Sequence, residues 1–204
     1  MGRVSDAKER LMGAITELIW IGSYGSTTID QICEKAGVKK GSFYYFFDSK
    51  ASLAEAAIRV EWDNYRPKLD SVFSPTIAPL ERLRRYAEMG YREQLELKEK
   101  HGYVLGCPLC SLGAEVSTQE ATLRYLIEEI MNQSRLYLET AIRDAHAVGQ
   151  AKAPDAAAMA RIVYPYIEGL MTQARIQNNL EIMKELFSGI CTIIGAKVAQ
   201  AAAA

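Results

Sequence analysis

Residues 27–53, TTIDQICEKAGVKKGSFYYFFDSKASL, constrain the fold more than any other stretch. Thr28 and Gln31 have the T-x-x-Q spacing of a capping box. In that box the hydroxyl meets a helical N–H and the amide side chain reaches back to the cap. Ile29, Ile32 and Cys33 recur at i, i+3 and i+4, so the short helix that follows has one apolar face. Gly37 suits a turn that needs positive φ, and Val38 plugs it. A second helix is expected over 39–47. It starts cationic and small, with Lys39, Lys40, Gly41 and Ser42, and ends aromatic, from Phe43 to Phe47. Two short helices joined by a glycine turn make a helix-turn-helix. The first turns of its second helix meet base edges and phosphates in the major groove.

This motif assigns roles. Lys39 and Lys40 are candidates for base edges or phosphates, and Gly41 lets the backbone come close. The Ser42 hydroxyl can hydrogen-bond, Tyr44 and Tyr45 can donate to phosphates, and Thr28 and Lys50 would grip the DNA backbone on either side. Phe43 and Phe47 read as core. The chain as a whole carries a net charge of −1, which excludes a protein that coats nucleic acid by charge alone. Residues 35–50 nevertheless carry four Lys and one Asp, a positive cluster confined to the reading helix and its flanks.

The stretch resembles the DNA-binding segment of the TetR family of bacterial transcriptional repressors. Thr28, Ile32, Ala36, Gly37, Val38, Gly41, Ser42, Tyr44, Phe47, Ser49, Lys50 and Leu53 fall in register with the family pattern. Phe46 stands where many members carry a phosphate-facing His, and Asp48 where many carry Lys. The resemblance implies a homodimer formed by an intersubunit bundle of the last two helices. It also implies a pseudo-palindromic double-stranded operator and a small-molecule effector bound in the C-terminal part.

The rest of the chain is read as helices. Asp6 and Glu9 are spaced as a capping box for the first helix, whose stripe is Leu11, Ile15, Leu18 and Ile19, with Gly22 as its stop. Arg3, Lys8 and Arg10 read either as phosphate contacts or as a solvated face. Asp48 or Ser49 opens a helix that Pro67 should end near Tyr65. A loop over 74–79 precedes a helix over 80–100. Residues 102–117 form a loop turning into a helix with Pro108 near its first position. Gly106, Cys107 and Glu115 there resemble the G-C-x-x-G-x-x-x-x-E pattern of one TetR subgroup, with Cys110 where Gly is usual. Helices follow to Val148, then over 154–178 with a kink at Pro165, then over 180–197, and the Ala-rich end reads as a fraying terminus or tail. The expectation is an all-α fold of about nine helices. Residues 1–50 form a three-helix DNA-binding domain and residues 51–204 a larger ligand-sensing and dimerisation bundle.

Trp62, Tyr65, Tyr86, Tyr103, Cys107, Tyr125, Tyr164 and Glu168 are candidates to line an apolar pocket with a few polar handles. Cys107 and Cys110 form a C-x-x-C. Three readings stay open for the pair: small buried hydrophobes, a thiol switch answering oxidants or electrophiles near a helix N-terminus, or a metal site. No fourth ligand is evident, so neither metal nor other cofactor is expected. His101 and His146 sit in no catalytic spacing, and no phosphate-loop, dinucleotide or zinc-protease motif occurs. A thiol-dependent all-α enzyme is the remote alternative to a non-enzymatic regulator. Four cysteines without a dense framework, no signal-peptide pattern and no apolar run of about 20 residues point to a cytoplasmic protein away from membranes.

Overall fold

The computed structural model describes residues 2–196, with side chains from residue 6 onward. The Arg3 side chain, the far end of the helix expected over 180–197 and the Ala-rich terminus lie outside the described residues. The chain forms α1 (Gly2–Ile21), α2 (Ile29–Ala36), α3 (Lys40–Phe46), α4 (Lys50–Val72), α5 (Pro79–His101), α6 (Pro108–Val116), α7 (Ala121–Ala147), α8 (Ala156–Gln177), a 3-10 turn (Glu181–Glu185) and α9 (Leu186–Ile193). Among the described residues there is no strand, as the all-α expectation requires, and no helix is long and apolar enough to cross a membrane.

Two compact units emerge. The first joins Met1–Arg66 to Pro108–Met131; the second joins Pro67–Cys107 to Asn132–Ala204. Packing therefore does not part at residue 50, because α6 and the start of α7 share a core with the helix-turn-helix. Leu11, Ile15, Ile32, Phe43, Leu53 and Leu123 are wholly inaccessible there. Each such side chain contributes about 1.5–3 kcal/mol by leaving water.

Local signals set most helix ends, with three corrections. Asp6 lies inside α1, not at its cap, and pairs with Arg10 one turn on, at 3.4 Å. Pro67 does not end α4, which runs on to Val72. An interior proline costs about 3 kcal/mol, and burial of Leu69 and Phe73 beyond it offsets that loss. The final segment is not one helix. The Asn179 side chain accepts from the Glu181 N–H at 3.0 Å and opens a 3-10 turn. At the other end the Lys152 N–H takes the Ile194 carbonyl at 2.9 Å, and Gly195 adopts φ 60°.

In the second unit, polar side chains hold the connections, with Arg82 and Gln94 buried and Asn178 half-buried. Arg82 donates to the Pro75 and Ile77 carbonyls at 3.2 and 2.7 Å and to Asp144 at 2.5 Å. Gln94 accepts from the Leu105 and Gly106 N–H groups at 3.2 and 2.8 Å and donates to the Gly106 carbonyl at 3.1 Å. Asn178 accepts from the Val104 N–H at 2.9 Å. Helix α8 continues through Pro165. Past it, the Tyr166 hydroxyl donates to the Glu185 carbonyl at 3.1 Å and lies over Gly189, where any Cβ would overlap it.

Candidate nucleic-acid interface

The capping box forms as the spacing predicts. Thr28 Oγ1 accepts from the Gln31 N–H at 3.2 Å, and the Gln31 side chain takes the Thr28 N–H at 2.8 Å. The Thr28 hydroxyl also donates to Gln31 Oε1. Gly37 ends α2 at φ 62°, and the Val38 N–H reaches back to the Cys33 carbonyl at 3.0 Å. Arg10 crosses from α1 and donates to the Ala36 carbonyl at 2.9 Å. Its guanidinium therefore braces this turn and does not stand as a loose phosphate contact.

Helix α3 follows with Lys39 at its N-cap. Phe43 and Phe47 are buried as expected, while Tyr44 and Tyr45 are 52% and 75% exposed. Lys39, Lys40 and Gly41 are exposed beside them, and Ser42 is half-buried. Nothing lies within 4 Å of the Cβ that Gly41 lacks. The free protein thus gives no packing reason for a glycine, a poor helix former, at this position. Lys40 pairs with Asp30 of α2 at 2.8 Å, and that bond pushes the ammonium pKa up.

Lys50 is placed differently from the expected DNA grip. Its ammonium donates to the Tyr24 and Thr27 carbonyls at 2.7 and 2.9 Å and lies 4.1 Å from the Tyr24 ring centroid. Burial pushes its pKa down, against the charges of Glu115 and Glu120. Helix α4 starts at Lys50, so the side chain reaches the turn ahead of α2 before it reaches solvent. Glu115 and Glu120 surround the same turn. Glu115 takes the Tyr24 and Gly25 N–H groups, and the Tyr24 hydroxyl donates to Glu120 at 3.4 Å. Burial, then Glu120 and Glu115, pushes the Tyr24 phenol up to about 12. No local pattern marks Tyr24 or Glu120, since their partners lie some ninety residues away.

Residues 11–57 match the family described as bacterial regulatory proteins, tetR family, and residues 79–190 match the tetracyclin repressor-like C-terminal domain. The chain belongs to the TetR family. It is a DNA-binding transcriptional regulator. It is 30% identical over 174 residues to the transcriptional regulator AcuR of Cereibacter sphaeroides, covering 84% of this chain and 77% of that protein. It is 23% identical over 193 residues to the transcriptional repressor NemR of Escherichia coli, covering 93% and 94%. The crystal structure of a TetR regulatory protein from Rhodobacter sphaeroides superposes with a TM-score of 0.81 at 26% identity, covering 92% of this chain and 98% of that one. The reduced form of E. coli NemR superposes with a TM-score of 0.81 at 22% identity, covering 95% and 100%, a likeness of fold.

The candidate pocket residues of this TetR-family chain divide between the units. Trp62, Tyr65 and Tyr125 belong to the first, and Tyr86, Tyr103, Cys107, Tyr164 and Glu168 to the second. Tyr103 and Tyr125 are 63% and 60% exposed. Neither is enclosed, and Tyr125 lies against the Arg124 guanidinium. Tyr86 packs at a tilt against Phe73, which also meets Tyr137, centroids 5.3 and 5.4 Å apart, and sequence patterning did not single out Phe73. Tyr164 and Glu168 are buried one turn apart on α8. The Cys107 sulfur and a Glu168 carboxylate oxygen lie within 4.8 Å. Neither Cys107 nor Cys110 is in a disulfide, and both are half-buried. Cys107 immediately precedes α6, and Pro108 opens that helix as expected.

Proposed function

We propose that this TetR-family regulator is a cytoplasmic homodimeric repressor. It leaves a pseudo-palindromic operator when a small apolar or aromatic ligand occupies its second unit. The observation that carries the DNA-reading role is the exposed start of α3. Lys39, Lys40, Tyr44 and Tyr45 face solvent around a glycine that the free protein does not require. Lys39 and Lys40 meet phosphates or base edges, Ser42 and the two tyrosines donate to the backbone, and Gly41 lets the helix approach. The first turn of α2, capped by Thr28, flanks the same groove.

Dimerisation runs through α8 and α9. Ile162, Pro165, Gly169, Gln173 and Ile176 are exposed along one stripe of α8, an apolar and small-residue face suited to a second copy. Two reading heads then meet half-sites whose centres lie about 34 Å apart or a multiple of that. Ligand and DNA select different states, so each weakens the other by the same factor. Tyr164, Glu168 and Cys107 are the ligand contacts this reading favours.

A second reading keeps the DNA binding and replaces the ligand with oxidant or electrophile chemistry at Cys107 and Cys110. It is favoured by a half-buried Cys107, outside any disulfide, beside a carboxylate, and a related fold is described in a reduced form.

The test is fluorescence anisotropy at fixed salt, using duplexes that wild type selects from a random library. Sequence-selective binding that Lys40→Ala/Tyr44→Ala loses is expected. Equal, weak binding of both proteins to every duplex would refute the DNA-reading assignment. The same duplex then screens aromatic ligands and oxidants. Release by ligands in a Cys107→Ser/Cys110→Ser variant supports the first reading; release only by oxidants, abolished in that variant, supports the second.

A further inference from the structure

The turn over residues 22–27 leads directly into the cap of α2, so its position sets where the reading helices begin. Opposite charges hold it from two sides. From α6, one carboxylate spans two successive backbone donors: Glu115 Oε2 accepts from the Tyr24 N–H at 2.8 Å and Oε1 from the Gly25 N–H at 2.5 Å. From the start of α4, Lys50 takes the Tyr24 and Thr27 carbonyls. Two bonds to one carboxylate define its plane as well as its distance, and charge-assisted bonds are roughly twice as strong as neutral ones. Gly25 makes the approach possible, since a Cβ there would stand 2.8 Å from Glu115 Oε1.

We propose that Glu115 is a positioning residue for DNA binding. It ties α6 to the turn ahead of α2, so that operator affinity depends on where α6 stands. A hydrogen bond fails beyond about 3.5 Å, so a shift of α6 by about an ångström releases the turn. The reading head then loses its register without unfolding. The inference rests on α2 and α3 being the DNA-reading helices.

The test uses the full-length protein and a duplex selected from a random library by wild type. Glu115→Gln keeps the shape but sets an amide N–H against one backbone N–H. Gly25→Ala pushes the carboxylate away without changing charge. Each is expected to weaken binding about tenfold, and the double variant by no more than about twofold beyond either single, because both break one contact. Each should also flatten the dependence of affinity on salt, since a misplaced head meets fewer phosphates. A loss of stability alone would leave that slope unchanged. Melting curves confirm which variants fold; if Glu115→Gln does not, Gly25→Ala carries the test through its slope and affinity. Wild-type affinity and slope in the folded variants would overturn the proposal, as would a double variant weakened about a hundredfold. Lys40→Ala/Tyr44→Ala is the separate control: tight binding by that variant refutes the reading helices themselves, whereas its failure to bind beside a normal Glu115→Gln refutes only the tether.

Discussion

Two connecting segments of this regulator, residues 22–27 and 102–107, are fastened by the same device with opposite chemistry. In each, side chains from elsewhere in the chain satisfy backbone groups that no helix supplies. Around 22–27 the side chains are ions, Glu115 and Lys50, and Gly25 and Ser26 stay exposed. Around 102–107 the main side chains are neutral amides, Gln94 and Asn178, and Val104 and Leu105 are buried. The difference follows from desolvation. An amide can donate and accept at once and enters an apolar core at modest cost, whereas an ion loses far more hydration on burial and needs every partner in place, as Arg82 has. The buried neutral clamp should therefore govern stability, and the charged one at the rim should govern placement.

Gln94→Leu gives the largest expected effect. It leaves two N–H groups and a carbonyl without their partner in the core, and thermal or urea unfolding should show a loss of about 2–4 kcal/mol. A loss below about 1 kcal/mol would break the contrast. Asn178→Ala comes next, at about 2 kcal/mol. It removes the Val104 bond and puts alanine at φ 48°, a left-handed conformation that itself costs about 1 kcal/mol. Asn178→Gly should recover the conformational part only. Lys50→Met should cost about 1 kcal/mol in the same unfolding assay, because water can replace the ammonium at the Tyr24 and Thr27 carbonyls. If it cost more than Gln94→Leu, the ranking of the two clamps would be reversed.

The smallest effect is confined to high pH. The Tyr24 phenol holds its proton up to about 12 in the folded chain, against 10.0 for an unperturbed tyrosine. The unfolded chain sheds that proton first, so the contribution is fully present below pH 10 and is lost as pH rises toward about 12. Burial, then Glu185, pushes the Tyr166 phenol up as well, so ultraviolet titration of Tyr24→Phe should show one late-ionising tyrosine fewer than wild type, and at neutral pH the variant should be within about 0.5 kcal/mol of wild type.

What the sequence made legible was local. Thr28 with Gln31, Gly37 at positive φ, and Phe43 and Phe47 facing inward were all readable, because each is decided by residues within a turn or two. The stop at Pro67 misread the chain, because a proline announces its missing donor but not the burial of Leu69 beyond it. Lys50 carried the right charge for a phosphate. Only the folded chain reveals two carbonyls within reach of it. Glu115 was noticed as part of a pattern, yet its partners at 24 and 25 belong to a turn with no chemical signature. The pocket residues were the least legible, since exposure of Tyr125 depends on the phase of α7 and that of Tyr103 on the path of the connection after α5, neither of which tyrosine content reports.

The crossing of Tyr166 over Gly189 sets a rule for how this chain can change over generations. A side chain at 189 and a tyrosine placed as Tyr166 is cannot occupy the same space, so a substitution at 189 is conditional on 166, whereas one at 166 is not conditional on 189. A lineage that trims 166 first opens a gap that a small residue at 189 can later fill. One that enlarges 189 first must push the Tyr166 ring aside and give up its bond to the Glu185 carbonyl. Relatives with a bulky 189 should therefore carry a shortened 166, and the order of the two events in a reconstructed history should run one way.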